Sequence, residues 1–301
     1  MKMLSLILFV LSFQWSSAFA MNAPRYINYN GIKLAMYESA GKHGPAILLI
    51  HGNTSSARSF EKIIDSPWAL YQKIVAIDMP GYGRSENAPT YNVALMVGAI
   101  AKAAQISGAD HGVVVGWSLG GDFVLQAAAS LPDVKGFFIF GTAPVGADTT
   151  LPPAFLSPTE SYAGNAVNYG FIPNLTTQQV NDYVTAFFRP HYNSIPNAFY
   201  TDGQRTDPAT RAAVYVAATG GDPTFVDEIA VVRSMTTPIA IAIGSKDAFV
   251  NPEFLADLAP SIPHLYKHKI FTFPNSGHAI QWEHPLLFIS FLQTFVWDVT
   301  H

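Results

Sequence analysis

The sequence predicts an α/β domain, a mostly parallel, doubly wound sheet that carries an inserted helical cap. Six short apolar runs, at 46–50, 74–77, 113–115, 137–140, 239–243 and 270–273, are continuous rather than alternating, as strands covered on both faces must be. Helical patterns at 93–105, 119–129 and 285–296 fall between or after these runs, and alternating strand and helix is how a parallel sheet is connected. Between 141 and 238 the rhythm stops. That interval holds Pro-bounded stretches and helical patterns at 177–188 and 207–217, but no run that reads as a parallel strand. We assign 142–235 to the cap and 21–141 with 236–301 to the core. The cap is expected over the C-terminal edge of the sheet, where open α/β folds bind ligands. Ahead of the first parallel run, 26–38 reads as an antiparallel hairpin turning at Asn30-Gly31, a dipeptide suited to a tight turn.

Composition narrows the function. With 301 residues, 49% hydrophobic and 13% charged, the chain can bury the core of one large domain with an insertion. A net charge of -4 without a Lys/Arg cluster argues against nucleic acid, whose phosphates demand a basic face. The absence of cysteine excludes disulfides, thiolate metal sites and a cysteine nucleophile. No H-E-x-x-H or clustered His/Asp spacing points to a metal, so neither metal nor cofactor is expected. Residues 1–20 read as a signal peptide: Lys2, an apolar stretch over 4–11, then Ala18-Phe19-Ala20 as a cleavage site. A periplasmic or secreted protein with no stable membrane anchor after cleavage follows. Translation from Met21 would instead leave the protein in the cytoplasm.

Gly116-Trp117-Ser118-Leu119-Gly120 follows the run 113–115 and opens a helical pattern, which is the strand–turn–helix setting that a G-x-S-x-G motif needs to expose a nucleophilic serine. The glycines leave room for a sharp turn, and the start of the helix directs N–H groups at an anion formed beside Ser118. A serine hydroxyl is a weak nucleophile, so it needs a base and a group to orient that base. His278, in the loop between the last strand run and the terminal helix, fits the base. Asp247, directly after the run 239–243, fits the orienting carboxylate, and the chain order serine, acid, histidine is the expected one. Asp222 and Asp227 precede that strand and are the weaker choices for the acid. His284 reads as a helix-start or surface residue and His51 as a structural loop histidine. Backbone N–H groups of Asn53, after the run 46–50, and Leu119 are assigned to an oxyanion hole. The turn-rich stretch 78–85 lacks the G-K-[ST] ending of a phosphate loop and reads as structural.

Taken together, these blocks resemble the α/β-hydrolase superfamily over essentially the whole chain after Pro24. Within it the chain looks most like the α/β-hydrolase-fold N-acyl-homoserine lactonases, which inactivate bacterial quorum signals. The likeness rests on His51-Gly52-Asn53-Thr54-Ser55-Ser56, Gly116-Trp117-Ser118-Leu119-Gly120-Gly121, Gly141-Thr142-Ala143-Pro144-Val145, Val180-Asn181-Asp182-Tyr183 and Thr201-Asp202-Gly203-Gln204-Arg205. It implies a small-molecule acyl ester or lactone as substrate, with Tyr183 hydrogen-bonding an acyl or lactone oxygen. Trp117, inside the elbow, is placed beside Tyr183 at the substrate. Phe155, Phe171, Phe187, Phe188 and Phe199 are available to cover an acyl chain. The sequence departs from the lactonase pattern twice, with Asp247 where Glu is expected and Asp122 where His is expected. A general carboxylesterase would share the triad and differ in the cap pocket, and a ligand receptor could keep the fold with little turnover.

Overall fold

The computed structural model describes residues 21 and 23–301, so the signal-peptide reading of 1–20 lies outside the described residues. Eight strands form one sheet: β1 (Arg25–Tyr29), β2 (Ile32–Glu38), β3 (His43–Ile50), β4 (Gln72–Ile77), β5 (Val113–Trp117), β6 (Gly136–Phe140), β7 (Ile239–Gly244) and β8 (Phe271–Phe273). Their order is β1-β2-β4-β3-β5-β6-β7-β8. The hairpin β1–β2 is antiparallel and β2 pairs antiparallel with β4, while β3 to β8 are mutually parallel.

The apolar runs are continuous because the sheet is buried on both sides. Along β3, Leu48 and Ile50 join one core layer while Ile47 and Leu49 join the other. In β7, Ile239, Ile241 and Ile243 face the first layer and Ala240 and Ala242 the second. Such alternation of faces is the period-two geometry of a strand. The helix Val93–Ser107 begins at Asn92, whose side chain accepts from Leu95 N–H at 2.8 Å, and ends at Gly108 with φ +81°. This polar start and left-handed stop satisfy backbone groups that the helix cannot bond internally. The terminal helix starts with Pro285 and runs to Thr300, four residues past its sequence pattern; it stacks Phe288 on Phe138 and packs Phe295 against the same ring at a tilt.

Between β6 and β7 the chain is helical, as the broken rhythm required. It contains a 3-10 stretch Gly164–Phe171 and helices Thr177–Thr185, Asn197–Arg205, Pro208–Ala218 and Glu228–Ser234. The first α-helix of this group carries a full capping box, Thr176 with Gln179, a reciprocal pair that fixes where the helix starts. The insertion is bound to the sheet's loops by polar ties. Arg58 pairs with Asp202, which also accepts from Ser56 Oγ at 2.5 Å. Arg205 donates to Ser85 O at 2.8 Å, and Tyr91 to Asp207 at 2.8 Å.

The chain reverses its direction of growth across the sheet between β3 and β5, since β4 lies on one side of β3 and β5 on the other. At such a switch point the loops leaving neighbouring strands part and open a crevice. The loops after β3 and β5 carry Asn53 and Ser118.

Candidate active site

Ser118 sits at φ 54°, ψ -132°, between β5 and the helix Leu119–Ala127. This is a region that side-chain-bearing residues rarely occupy, costing on the order of 1–3 kcal/mol. Surrounding contacts hold it there: Ser118 N–H donates to Phe140 O at 2.9 Å and its carbonyl accepts from Gly121 N–H at 2.6 Å. The turn is possible only where neighbouring backbones nearly touch. A methyl group on Gly120 would collide with the Ile50 carbonyl, and one on Gly52 would stand 2.9 Å from Ser118 Cβ. The His51-Gly52-Asn53 turn is thereby pressed against the serine.

His278 and Asp247 are in contact. Nδ1 of His278 lies 2.9 Å from Oδ2 and 3.1 Å from Oδ1 of Asp247, and both side chains are only 2% exposed. Asp247 is itself fixed, with Oδ1 accepting from the N–H groups of Phe249 at 2.8 Å and Val250 at 3.2 Å. The imidazole is boxed by the rings of Phe249, Trp117 and Phe187, with centroids 4.5, 5.6 and 5.8 Å away. Asp222 and Asp227 are engaged elsewhere: the first accepts from Val93 N–H at 2.7 Å, and the second caps its own helix through Ala230 N–H at 3.0 Å.

Ser118 and His278 both line one cavity of about 610 Å3 beneath the helical insertion, together with Asn53, Leu119 and Tyr183. The volume is in the range of small-molecule sites. As the first residue of its helix, Leu119 has an N–H with no intrahelical acceptor. The Asn53 N–H likewise meets no protein acceptor among the described residues. The Asn53 side chain does something the sequence did not disclose. It donates to Gly170 O at 2.7 Å and accepts from Tyr82 Oη at 3.2 Å, tying its turn to the insertion. Tyr183 is buried against Phe187 and Phe249, and that burial pushes its phenol well above the ordinary tyrosine range. The hydroxyl is therefore a proton donor at neutral pH.

Trp117 is not where the sequence placed it. It is fully buried and absent from the cavity wall, because Val113, Val115 and Trp117 share one face of β5 and join the same core layer. Its indole N–H donates to the His278 carbonyl at 2.9 Å. Trp117 thus holds the histidine loop rather than a ligand. Of the five phenylalanines, Phe155 and Phe171 line the cavity, whereas Phe187, Phe188 and Phe199 are packed in the core layer below. The histidine loop has a further anchor that went unread: Glu283 Oε1 accepts from the N–H groups of Gly277 and Arg189, at 3.2 and 2.8 Å.

His51 is a structural histidine, with Nδ1 on Gly52 O at 2.8 Å and Nε2 accepting from Met79 N–H at 3.1 Å. Burial lowers its pKa to about 4 and keeps it neutral. Asp78 organises the stretch 78–85, accepting from Ala57 N–H and Arg84 N–H, both at 2.7 Å, and from Tyr37 Oη at 3.2 Å. That is a structural loop, as read from the sequence. His284 donates to or accepts from nothing in the cavity; its Nε2 lies 3.0 Å from Asn275 O at an exposed helix start. Among the described residues, no group of three or more His, Asp or Glu is placed to hold a metal, and no helix is long and apolar enough to cross a membrane.

Three carboxyl residues line the cavity, Asp122, Asp227 and Glu228; Asp227 is held by its helix start, and the other two act on each other. Burial pushes Asp122 up to about 7, against the pull of the Thr142 hydroxyl that donates to its Oδ1 at 2.5 Å. Burial and the charge of Asp122 hold Glu228 well above the usual carboxylate range. In the unfolded chain Asp122 titrates near its ordinary 3.8. Because its pKa is raised on folding, the stability it permits is full below about pH 4 and lost as the pH rises to 7 and beyond. Asp122→Asn should therefore stabilise the protein at pH 8, on the order of 1–2 kcal/mol after screening by water in the cavity, and so raise its melting temperature there. At pH 4 the gain should vanish. Thermal denaturation of both proteins across pH 4–8 tests this, and parallel pH curves would contradict it.

The family model described as alpha/beta hydrolase fold matches residues 45–285. In three dimensions the chain is similar to the N-acyl homoserine lactonase AidH complexed with N-butanoyl homoserine, at 26% identity and TM-score 0.82, covering 92% of this chain and 97% of that one. A variant of AidH complexed with N-hexanoyl homoserine lactone matches at 25% identity and TM-score 0.82, covering 92% and 98%. A putative aryl esterase from Burkholderia cenocepacia shares the fold at 20% identity, TM-score 0.74, with coverage of 92% and 98%. Among curated proteins, the pimeloyl-[acyl-carrier protein] methyl ester esterase of Xylella fastidiosa (strain M12) is 34% identical over 110 residues, 36% of this chain and 41% of that protein. The match thus spans about two fifths of the length of such relatives. With the parallel sheet, the strained serine turn and the helical insertion in place, the chain belongs to the α/β-hydrolase fold family.

Proposed function

We propose that this protein is a serine hydrolase that opens the lactone ring of N-acyl-homoserine lactones and so quenches quorum signals. Ser118 is the nucleophile, His278 the general base and Asp247 the group that orients it. The observation that carries this reading is the joint placement of a strained serine and an Asp247-held His278 on the wall of one cavity. The likeness to AidH over 92% of the chain supports the choice of substrate.

Ser118 Oγ attacks the ring carbonyl carbon and its proton passes to Nε2 of His278, while Nδ1–H donates to Asp247. The oxyanion takes the N–H groups of Asn53 and Leu119, each worth about 3 kcal/mol because it is already aimed where charge develops. Collapse breaks the ring C–O bond. His278 returns its proton to the departing oxygen, which becomes the hydroxyl of a homoserine still joined to Ser118 through its carbonyl carbon. Water then attacks that carbonyl, yielding its proton to His278, and the second collapse re-protonates Ser118 and releases the N-acyl-homoserine. Tyr183 donates its phenolic proton to an acyl or lactone oxygen. Export, with cleavage after Ala20, is proposed on the sequence of 1–20 alone.

A second reading, a general carboxylesterase for small acyl esters, is favoured by the match to methyl ester esterases. Steady-state turnover of N-acyl-homoserine lactones and p-nitrophenyl esters by the chain from Met21 onward separates the two. We expect kcat/KM for the lactones to exceed that for the esters. Ester cleavage without ring opening would select the carboxylesterase, and binding without turnover of either would select a receptor on the same fold.

A further inference from the structure

The helix after the serine turn presents Ser118, Asp122 and Gln126 to the cavity. Asp122 and Gln126 are four apart in the helix Leu119–Ala127 and lie one above the other on its face, with about 5–6 Å between Cβ atoms, and Asp122 stands one turn on from Ser118, whose carbonyl lies 3.4 Å from its N–H nitrogen. The wall one turn beyond the nucleophile is therefore polar, although most of the cavity is lined by side chains such as Val93, Met96, Phe155 and Val214. An alkyl chain gains nothing from a carboxyl at that depth, and desolvating the carboxyl costs free energy unless a donor meets it.

The neighbours of Asp122 leave one acceptor open. Its Oδ1 takes the Thr142 hydroxyl, and no protein donor reaches Oδ2 among the described residues. Glu228, by contrast, is complete: Oε1 accepts from Gln126 Nε2 at 2.8 Å and Oε2 from Val145 N–H at 2.9 Å. Among the described residues no lysine or arginine lines the cavity, so none of them supplies the donor that Asp122 lacks.

We propose that Asp122 is a specificity-determining residue, its open oxygen accepting a hydrogen bond from an amide N–H of the substrate that lies next to the scissile carbonyl. The inference rests on the hydrolase reading above and narrows its substrate class. Acyl esters and lactones bearing an amide beside the reacting carbonyl are selected over all-carbon counterparts, because once a ligand displaces water from the half-buried Asp122 only the amide returns a donor to its open oxygen. In an N-acyl-amino lactone two bonds separate the ring carbonyl carbon from the amide nitrogen, which suits an acceptor one helical turn from Ser118.

The test, run at pH 8 where Asp122 is ionised and can only accept, compares N-hexanoyl-homoserine lactone with the analogue carrying CH2 in place of the amide N–H. We expect the native protein to favour the amide by about tenfold or more in kcat/KM. Asp122→Leu should bring that ratio close to one, and so should Asp122→Asn, because the Thr142 hydroxyl holds the amide oxygen and leaves the NH2, a donor, at the open position. The same ratio is read as Kd by calorimetry on the Ser118→Ala protein with and without Asp122→Leu, so it is measured even if neither compound turns over. A ratio unchanged by Asp122→Leu in both formats would overturn the role of Asp122 while leaving the hydrolase reading intact. Loss of the ratio in binding, with no turnover by the native protein, would support Asp122 and sink the hydrolase.

Discussion

On the proposed mechanism, Ser118→Ala should lower kcat on the preferred ester or lactone by about 10^4-fold or more, and His278→Ala should lower it by nearly as much. The two effects do not add. Without the serine oxygen there is nothing for His278 to deprotonate, and without the imidazole the hydroxyl stays a poor nucleophile, so the double variant should fall within about tenfold of either single one. The residual rate reflects binding and the N–H groups of Asn53 and Leu119, which neither substitution touches. Stability should change little at position 118, because alanine inherits the same φ of 54° and the backbone bonds to Phe140 and Gly121 that hold it. Intact-protein mass spectrometry of a quenched reaction supplies a second readout: on the native protein an adduct of the full lactone mass, or of the acyl group alone from an ester, and none on Ser118→Ala. Retention of most activity by Ser118→Ala would remove Ser118 from the mechanism.

The sheet was legible because burial on both faces leaves no polar alternation, and every one of the six continuous apolar runs overlaps a strand. The elbow was legible because its glycines answer a local steric demand. What local patterns could not show were the long-range pairings. Asn53 reaches Gly170, Glu283 reaches Arg189, and Glu228 closes the cavity beside Asp122, each across a sequence separation that carries no periodic signal. The helix Asn197–Arg205 escaped for a different reason. Its sequence NAFYTDGQR includes Asn, Asp, Thr and Gly, which favour helices weakly, and the helix is held by the tie of Asp202 to Arg58 and Ser56. The position of Trp117 was readable in principle: at an even spacing from Val113 and Val115 it must point with them, away from the neighbouring Ser118 turn.

Asp247→Asn should cost about 10^3–10^4-fold in kcat with the fold and the hydrogen-bond frame intact. The reason lies in what fixes the carboxylate. Oδ1 accepts from Phe249 N–H and Val250 N–H, and in the asparagine the carbonyl oxygen must keep that place, because an NH2 group there would face two donors. The amide NH2 is then forced into the position of Oδ2, 2.9 Å from His278 Nδ1. Nδ1 can meet it only as an acceptor, which moves the ring proton to Nε2, the atom that must receive the proton of Ser118. The variant histidine is thus biased toward the tautomer that cannot act as base, since the NH2 lies nearer to Nδ1 than the carbonyl oxygen at 3.1 Å. Raising the pH does not restore it, since the fault is in the place of the proton rather than its presence. Asp247→Glu differs in kind: it keeps the charge and the acceptor, so any loss follows from reach alone and should be smaller. A pH–rate profile of the native, Asp247→Asn and Asp247→Glu proteins tests this ordering. An asparagine variant as active as the native protein would show that the Asp247–His278 pair does not govern turnover, and that the proton of Ser118 leaves by another route.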